Sequence, residues 1–340
     1  MSKIALFGEI MLRLAPEGYN RFVQSDKFCA TYGGSEANVA VSLANFGLDT
    51  MFISKLPENE MGQAAINSLR RFGVDTSEIV RGGKRMGIYF LEKGASQRPS
   101  KVIYDRENSA IAQAESGEFN WDEIFEGVAW FHFTGITPAL SENLTNICIE
   151  ACKNAKERNI TVSCDINYRE KLWTTEKANE VMSELMQYVD ICIANEEDAE
   201  KVFGIKAEGS IVEEGKLDYS SYKTVSKTIF DKFECSKVAF TLRTSLSASD
   251  NRWAGMIYDG NDFYFSKEYD IHIIDRVGGG DSFAAGLIYG FMNDFCSSEA
   301  LEFATAASCL KHSIEGDFNI ISVLEVEKLL SGDGSGRVQR

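Results

Sequence analysis

Six short apolar runs recur along this 340-residue chain: Ile4 to Phe7, Met51 to Ser54, Trp130 to Phe133, Ile160 to Cys164, Ile191 to Ala194 and Val238 to Leu242. Amphipathic stretches of helical period separate them at 61 to 72, 141 to 157, 174 to 187 and 221 to 233. Runs this short and this uniformly apolar suit strands buried on both faces, and strands spaced by helices run mostly parallel. The pattern predicts an α/β fold with a mostly parallel central sheet covered by helices on both sides. Residues 16 to 32 and 85 to 112 break the rhythm, alternating without a helix between them, as in Gly87-Ile-Tyr-Phe-Leu-Glu92 and Lys101-Val-Ile-Tyr-Asp-Arg106. They form either a small separate β layer or edge strands of the main sheet. A separate layer can serve as a lid, and its apolar face can pair with a second copy of the chain. The domain is expected to occupy residues 1 to 330, and the linker-like Ser331-Gly-Asp-Gly-Ser-Gly336 opens a flexible tail, 331 to 340.

Net charge is 35 − 51 = −16, which disfavours nucleic acid and anionic membrane as partners. A local cluster of arginines can still govern its own pocket, because screening acts over only about 8 Å at physiological salt. The 8 cysteines, at 29, 148, 152, 164, 192, 235, 296 and 309, contain no C-x-x-C pair and suit reduced, buried thiols. The opening Met1-Ser-Lys-Ile-Ala-Leu-Phe7 runs straight into a strand, and no segment has 18 unbroken apolar residues, so a cytoplasmic protein is expected. His132, His272 and His312 lack metal-ligand spacing and read as structural.

The stretch Ile271-His-Ile-Ile-Asp-Arg-Val-Gly-Gly-Gly-Asp-Ser-Phe-Ala-Ala-Gly286 reads as strand, glycine turn and helix start. Gly278, Gly279 and Gly280 carry no side chain to hold an anion away, and the first amides of the following helix point at it. A carboxylate there, Asp281, repels phosphate but can take a proton from an attacking hydroxyl, the requirement of phosphoryl transfer to an alcohol. The same residues also suit a plain helix N-cap. No G-x-x-x-x-G-K-[ST] is present, and Phe283 stands where a dinucleotide fingerprint wants a small residue. Near the N-terminus, Tyr32-Gly-Gly-Ser-Glu-Ala-Asn38 leads another helix: Gly34 and Asn38 suit hydrogen bonding to a polyol, or Ser35 simply caps the helix.

Together, Gly33-Gly-x-x-x-Asn38 and Asp275-x-x-Gly-Gly-Gly-Asp281 resemble the two signature regions of the PfkB, or ribokinase-like, carbohydrate kinases, over residues 3 to 320. That resemblance implies a three-layer αβα sandwich with a small β-sheet lid, ATP and Mg²⁺ as cofactors, and Asp281 as catalytic base beside a Gly278 to Gly280 anion hole. The segments Gly87 to Arg106, Asp165-Ile-Asn-Tyr-Arg169 and Thr241-Leu-Arg-Thr-Ser-Leu-Ser-Ala-Ser249 are similar to those of members acting on 2-dehydro-3-deoxygluconate. This likeness implies phosphorylation of that sugar acid at its 6-hydroxyl, with Gly34, Asn38, Tyr89, Tyr104, Arg106 and Arg169 on the substrate. It implies Asn167, Thr241, Arg243, Gly278, Gly280 and Ser308 on the nucleotide. A sugar acid needs a fixed cation, and arginine's planar fork fits a carboxylate. Arg106 and Arg169 can equally be surface residues paired with Asp105 and Glu170.

Departures from the family pattern are also legible. Arg13 stands where many members carry a sugar-binding Asp, Arg243 replaces a Gly and Arg276 a small residue. The family's N-x-x-E ends in Asp in Asn195-Glu-Glu-Asp198, so these two residues either act on magnesium through water or Asn195 caps a helix over 196 to 203. A fructokinase or other hexose kinase is the alternative within the family. A non-catalytic sugar or nucleotide sensor is the alternative outside it.

Overall fold

The computed structural model describes residues 2 to 205 and 219 to 332. The chain begins β1 (Lys3–Phe7), β2 (Met11–Pro16), β3 (Phe28–Gly33), α1 (Ser35–Asn45), β4 (Thr50–Leu56), α2 (Glu60–Arg70), β5 (Ile79–Arg81), β6 (Ile88–Glu92) and β7 (Lys101–Asp105). It continues with α3 (Trp121–Ile124), β8 (Val128–Thr134), α4 (Glu142–Glu157), β9 (Thr161–Asp165), α5 (Thr175–Leu185), β10 (Ile191–Ala194) and α6 (Glu196–Phe203). After residue 218 come α7 (Tyr219–Phe233), β11 (Lys237–Ser245), β12 (Asp250–Tyr258), β13 (Phe263–Phe265), β14 (Tyr269–His272), α8 (Gly279–Met292), α9 (Ser297–Lys311) and α10 (Val323–Leu330). All six apolar runs are strands of one sheet. Residues 333 to 340 of the expected tail lie outside the described residues.

The main sheet runs β13-β12-β11-β10-β9-β8-β1-β4-β5, with β14 also paired to β12. Every pairing from β5 to β11 is parallel, and β12 turns antiparallel against β11. Side chains alternate across the sheet, so β1 sends Ala5 and Phe7 to one core and Ile4 and Leu6 to the other. The first core is closed by α3 to α7 and the second by α1, α2, α8, α9 and α10, giving three layers. Helix α4 shows why its sequence is helical: Ser141 caps it by accepting from the Leu144 amide, and Leu144, Ile147, Cys148, Ala151, Cys152 and Ala155 bury one stripe.

The two irregular segments do not border the main sheet. They build a separate four-stranded sheet, β3-β2-β6-β7, in which only β2 and β6 are parallel. The layer starts at Met11, earlier than residue 16, because Met11-Leu-Arg-Leu-Ala-Pro16 is buried on nearly every side chain and shows no alternation to the eye. Three cysteines depart from expectation: Cys29 and Cys296 are exposed and Cys309 is partly covered, while the other five are buried. No helix among the described residues is long and apolar enough to cross a membrane.

Helices α8 and α9 touch through small residues. A Cβ at Gly286 would lie 2.5 Å from the Ala304 Cα, a backbone atom that cannot swing aside. Gly286→Ala is expected to cost about 1 to 3 kcal/mol of stability, as overpacking does. Urea unfolding of the two proteins checks it, an unchanged midpoint counting against so tight a contact.

Candidate functional site

The parallel strands β1, β8, β9, β10 and β11 deliver their carboxyl ends to one side of the sheet, where loops can converge. There the lid sheet roofs a cavity of about 420 Å³. Gly34, Asn38, Tyr89, Tyr104, Arg106, Asn167, Arg169, Asn195, Thr241, Arg243, Gly278, Gly279, Gly280 and Asp281 all line it. Residues separated by some 240 positions thus share one wall.

Asp281 sits in the first turn of α8, whose N-cap is Gly278, so it is not a capping residue. Its Oδ1 accepts from Ser35 Oγ at 2.5 Å and its Oδ2 from Asn38 Nδ2 at 2.7 Å. Ser35 is therefore not a cap either: Gly34 is the N-cap of α1, and the hydroxyl faces Asp281. Asn167, held at a φ of 42°, donates to Ser35 Oγ at 3.2 Å, so two residues of α1 and one from the loop after β9 fix the carboxylate. Burial raises the Asp281 pKa, and the two hydrogen bonds pull it back down. One donor per oxygen leaves each oxygen a lone pair for a proton.

Each glycine of the turn has its own reason. Gly278 has a φ of +83°, and a Cβ there would meet the Asp317 carbonyl oxygen at 2.1 Å. A Cβ at Gly279 would lie 2.5 Å from the His312 ring. At Gly280 a Cβ would meet no protein atom within 4 Å. Protein packing does not require a glycine at 280, so its bareness leaves room for a ligand. The amides of Gly280 and Asp281 have no hydrogen-bond partner among the described residues, as the start of a helix leaves them.

Beneath the turn lies a buried bracket. Arg13 on β2 donates through Nη2 to Asp275 Oδ2 at 2.5 Å and through Nη1 to Asp317 Oδ1 at 2.7 Å. Burial opposes its charge, yet the two carboxylates hold the Arg13 pKa above its ordinary value. Tyr89 donates its hydroxyl to Asp317 Oδ2 at 2.5 Å, so only its ring is left for the cavity. Arg13 is thus part of the scaffold.

The two candidate cations differ. Arg106 pairs not with Asp105 but with buried Glu9, through Nε at 2.8 Å and through Nη2. Asp105 pairs with Arg85 instead. Arg169 does not pair with Glu170: its Nη1 donates to the Tyr168 carbonyl at 2.8 Å, and it has no ion-pair partner among the described residues. Tyr104, 39% exposed, tilts against Tyr89 with ring centroids 6.1 Å apart.

Two expected residues fall elsewhere. Ser308 is fully buried, spends its hydroxyl on the Gly279 carbonyl at 2.7 Å and does not line the cavity, so in this structure it supports the turn. Asp198 is buried, with Oδ1 accepting from the Tyr168 amide and Oδ2 from the Asn195 amide, while Asn195 accepts from the Asp198 amide. That is a capping box for α6, and burial raises the Asp198 pKa to about 6. Asn195 alone of the pair reaches the cavity. Among the described residues no cluster of three or more His, Cys, Asp or Glu is arranged to hold a metal.

The structure adds residues that the sequence did not single out. Asp165, at the end of β9, lines the cavity, and burial with nearby Asp198 and Asp281 pushes its pKa well up. Its place at the carboxyl end of a recognisable strand was the available signal. His312, read from the sequence as structural, also lines the wall, its Nδ1 on the Ser308 carbonyl and its pKa lowered to about 4 by burial, so it is neutral near pH 7.

This is the site of a sugar kinase in outline: a cleft with an anion turn, a fixed carboxylate and polar walls. The chain belongs to the pfkB family of carbohydrate kinases, whose model matches residues 1 to 319. It is similar to the crystal structure of a 2-dehydro-3-deoxygluconokinase from Thermotoga maritima, with 52% identity, a TM-score of 0.94 and coverage of 98% of this chain and 100% of that one. A 2-dehydro-3-deoxygalactonokinase from Haloferax volcanii is 29% identical over 335 residues, 98% of each chain. A 2-dehydro-3-deoxygluconokinase from Bacillus subtilis is 26% identical over 315 residues, 92% of this chain and 90% of that one.

Gly280→Ala is expected to leave stability unchanged or to raise it by up to about 1 kcal/mol, as alanine does in a helix, while kcat falls about tenfold or more as the anion is pushed away. Thermal melts and steady-state assays together check it. Ser35→Ala removes a hydrogen bond that favours the charged carboxylate, so the acid limb of the pH profile of kcat/KM is expected to move to higher pH. Full-range pH profiles of both proteins read the shift directly.

Proposed function

We propose that this kinase phosphorylates 2-dehydro-3-deoxy-D-gluconate at its 6-hydroxyl, using ATP. The observation that carries the substrate reading is Arg169, a cation with no ion pair of its own among the described residues, in the same cavity as Asp281. Asp165, Asp198 and Asp281 feel its charge without pairing to it, so its remaining donors are free to engage a carboxylate on the substrate, a group a neutral hexose does not offer. Glu9 already balances Arg106, whose remaining donors and the rings of Tyr89 and Tyr104 shape the same end of the cavity. The Thermotoga and Bacillus relatives support the same substrate, and the Haloferax relative supports the wider class of dehydro-deoxy sugar acids.

In this reading Asp281 takes the proton of the attacking hydroxyl, with Ser35 and Asn38 holding its oxygens in place. The amides of Gly280 and Asp281 receive the charge on the transferred group, and the lid excludes water that would compete as nucleophile. Thr241 and Arg243 line the end of the cavity towards β11 and suit the nucleotide. The donor set fits Mg²⁺ carried on ATP: Asp165 and Asn195 line the cavity and would hold it through water, as this ion binds with one or two protein oxygens plus phosphates. When bound, the ion neutralises charge on the phosphates. Exposed Phe28, Val23 and Ile103 on and beside the lid sheet favour a second copy of the chain as partner there.

Coupled ADP-release assays over a panel of sugar acids and their neutral counterparts test the substrate. Turnover of fructose matching that of the sugar acid would sink it. Arg169→Ala is expected to raise KM for the acid far more than for any neutral sugar. Asp281→Asn is expected to lower kcat by a factor of at least about 100 while ligand affinity, read by calorimetry, stays near that of the parent.

A further inference from the structure

Lys311, the last residue of α9, is entirely buried, an unusual state for a lysine. Its Nζ donates to the Gly316 carbonyl at 2.7 Å and the Ile314 carbonyl at 3.1 Å. Its Cε would lie 3.2 Å from a Cβ on Gly278, so the ammonium stands directly behind the glycine turn. Arg13, Asp275 and Asp317 are buried in the same knot. Two cations and two carboxylates balance there, with Arg13 facing the two acids and Lys311 facing the backbone. Burial, with Arg13 adding to it, lowers the Lys311 pKa, and Asp275, Asp317 and Asp281 oppose that shift in part.

Backbone carbonyls converging on one point are what a bound alkali ion requires, and here a tethered ammonium already holds the point. A full positive charge in a dry site beside the N-terminus of α8 adds to the helix's own positive end. It therefore strengthens the turn's pull on charge that builds up as the phosphoryl group moves.

We propose that Lys311 is a positioning residue for phosphoryl transfer, its ammonium serving as a built-in monovalent cation behind Gly278 to Gly280, so that turnover needs no added alkali ion. The proposal rests on the kinase reading above, though not on the choice of sugar. The first test uses the unaltered protein: turnover is compared in potassium, sodium and tetramethylammonium chlorides at equal ionic strength. Rates agreeing within about twofold are expected, since only screening, equal in all three, remains. Potassium activation of several-fold would overturn the proposal.

The second test neutralises the charge. Lys311→Met, similar in length, is expected to lower kcat about tenfold or more while KM for the sugar changes little. Lys311→Ala is expected to regain part of its lost turnover from added methylammonium or potassium but none from tetramethylammonium. Wild-type kcat in Lys311→Met, or a folded Lys311→Ala that no small cation rescues, would overturn the assignment. Should neither variant fold, the salt series on the parent protein decides alone. Assays use whichever sugar the parent turns over fastest, so a failed sugar-acid preference and a failed role for Lys311 give separate readouts.

Discussion

The double ion pair of Arg13 is the interaction on which the site's shape depends. Arg13 belongs to the lid sheet, Asp275 to the strand-to-helix turn, and Asp317 to the segment after α9, so one guanidinium ties three distant parts of the chain at one point. All three side chains are buried, and removing one partner would leave an unpaired charge in the interior at a cost of about 3 to 5 kcal/mol. Tyr89 adds a second tie from the lid to Asp317. The base of the lid and the anion turn therefore form one rigid corner. Away from that corner the ties are lighter: the Lys93 to Glu315 pair is largely exposed on the acid side, and the turn at Ser96 meets Ser249 by single hydrogen bonds.

Fixing that corner lets the other parts of the site be simple. The parallel sheet brings Asp165, Asn167, Asn195 and Thr241 to one rim because successive strands end there. Helix α1 then meets α8 across the rim, and Ser35 and Asn38 reach Asp281 directly. Glu36 on the same turn of α1 faces inward, accepting from the Thr134 amide and hydroxyl and from Thr137. Burial lifts its pKa to about 7, so it titrates close to physiological pH within the wall of the cavity. Its raised pKa means that this residue's contribution to stability fades as pH climbs from about 4.5 to 7, the range between the unfolded and folded values.

Much of the frame was legible because burial writes itself into composition. Strands covered on both faces must be apolar at every position, and β1, β4, β8, β9, β10 and β11 are visible for that reason. The glycine turn and Asp281 were legible only as a pair with the early Gly33-Gly34 helix start, since either stretch alone also suits a plain helix entrance. The bracket was not. Arg13 looked like a departure from a pattern, since nothing local tells an arginine in an apolar strand that two carboxylates lie 262 and 304 positions away. Ser308 failed for the opposite reason: a hydroxyl on a helix gives no sign of whether its face meets a cavity or another turn. Lys311 was equally silent, because a lysine at the end of a helix is ordinary on any sequence and its burial depends on how the following turn folds back.

The three glycines of the turn have unequal fates in store. Gly278 is held by a left-handed backbone and the neighbouring Asp317 carbonyl, and Gly279 by the His312 ring packed against it, so packing within the protein favours a glycine at both. Gly280 answers to the ligand alone. A lineage that abandoned chemistry and kept only recognition would be free to replace it first. Position 280 is thus the place where loss of catalysis would become visible before the architecture showed any change.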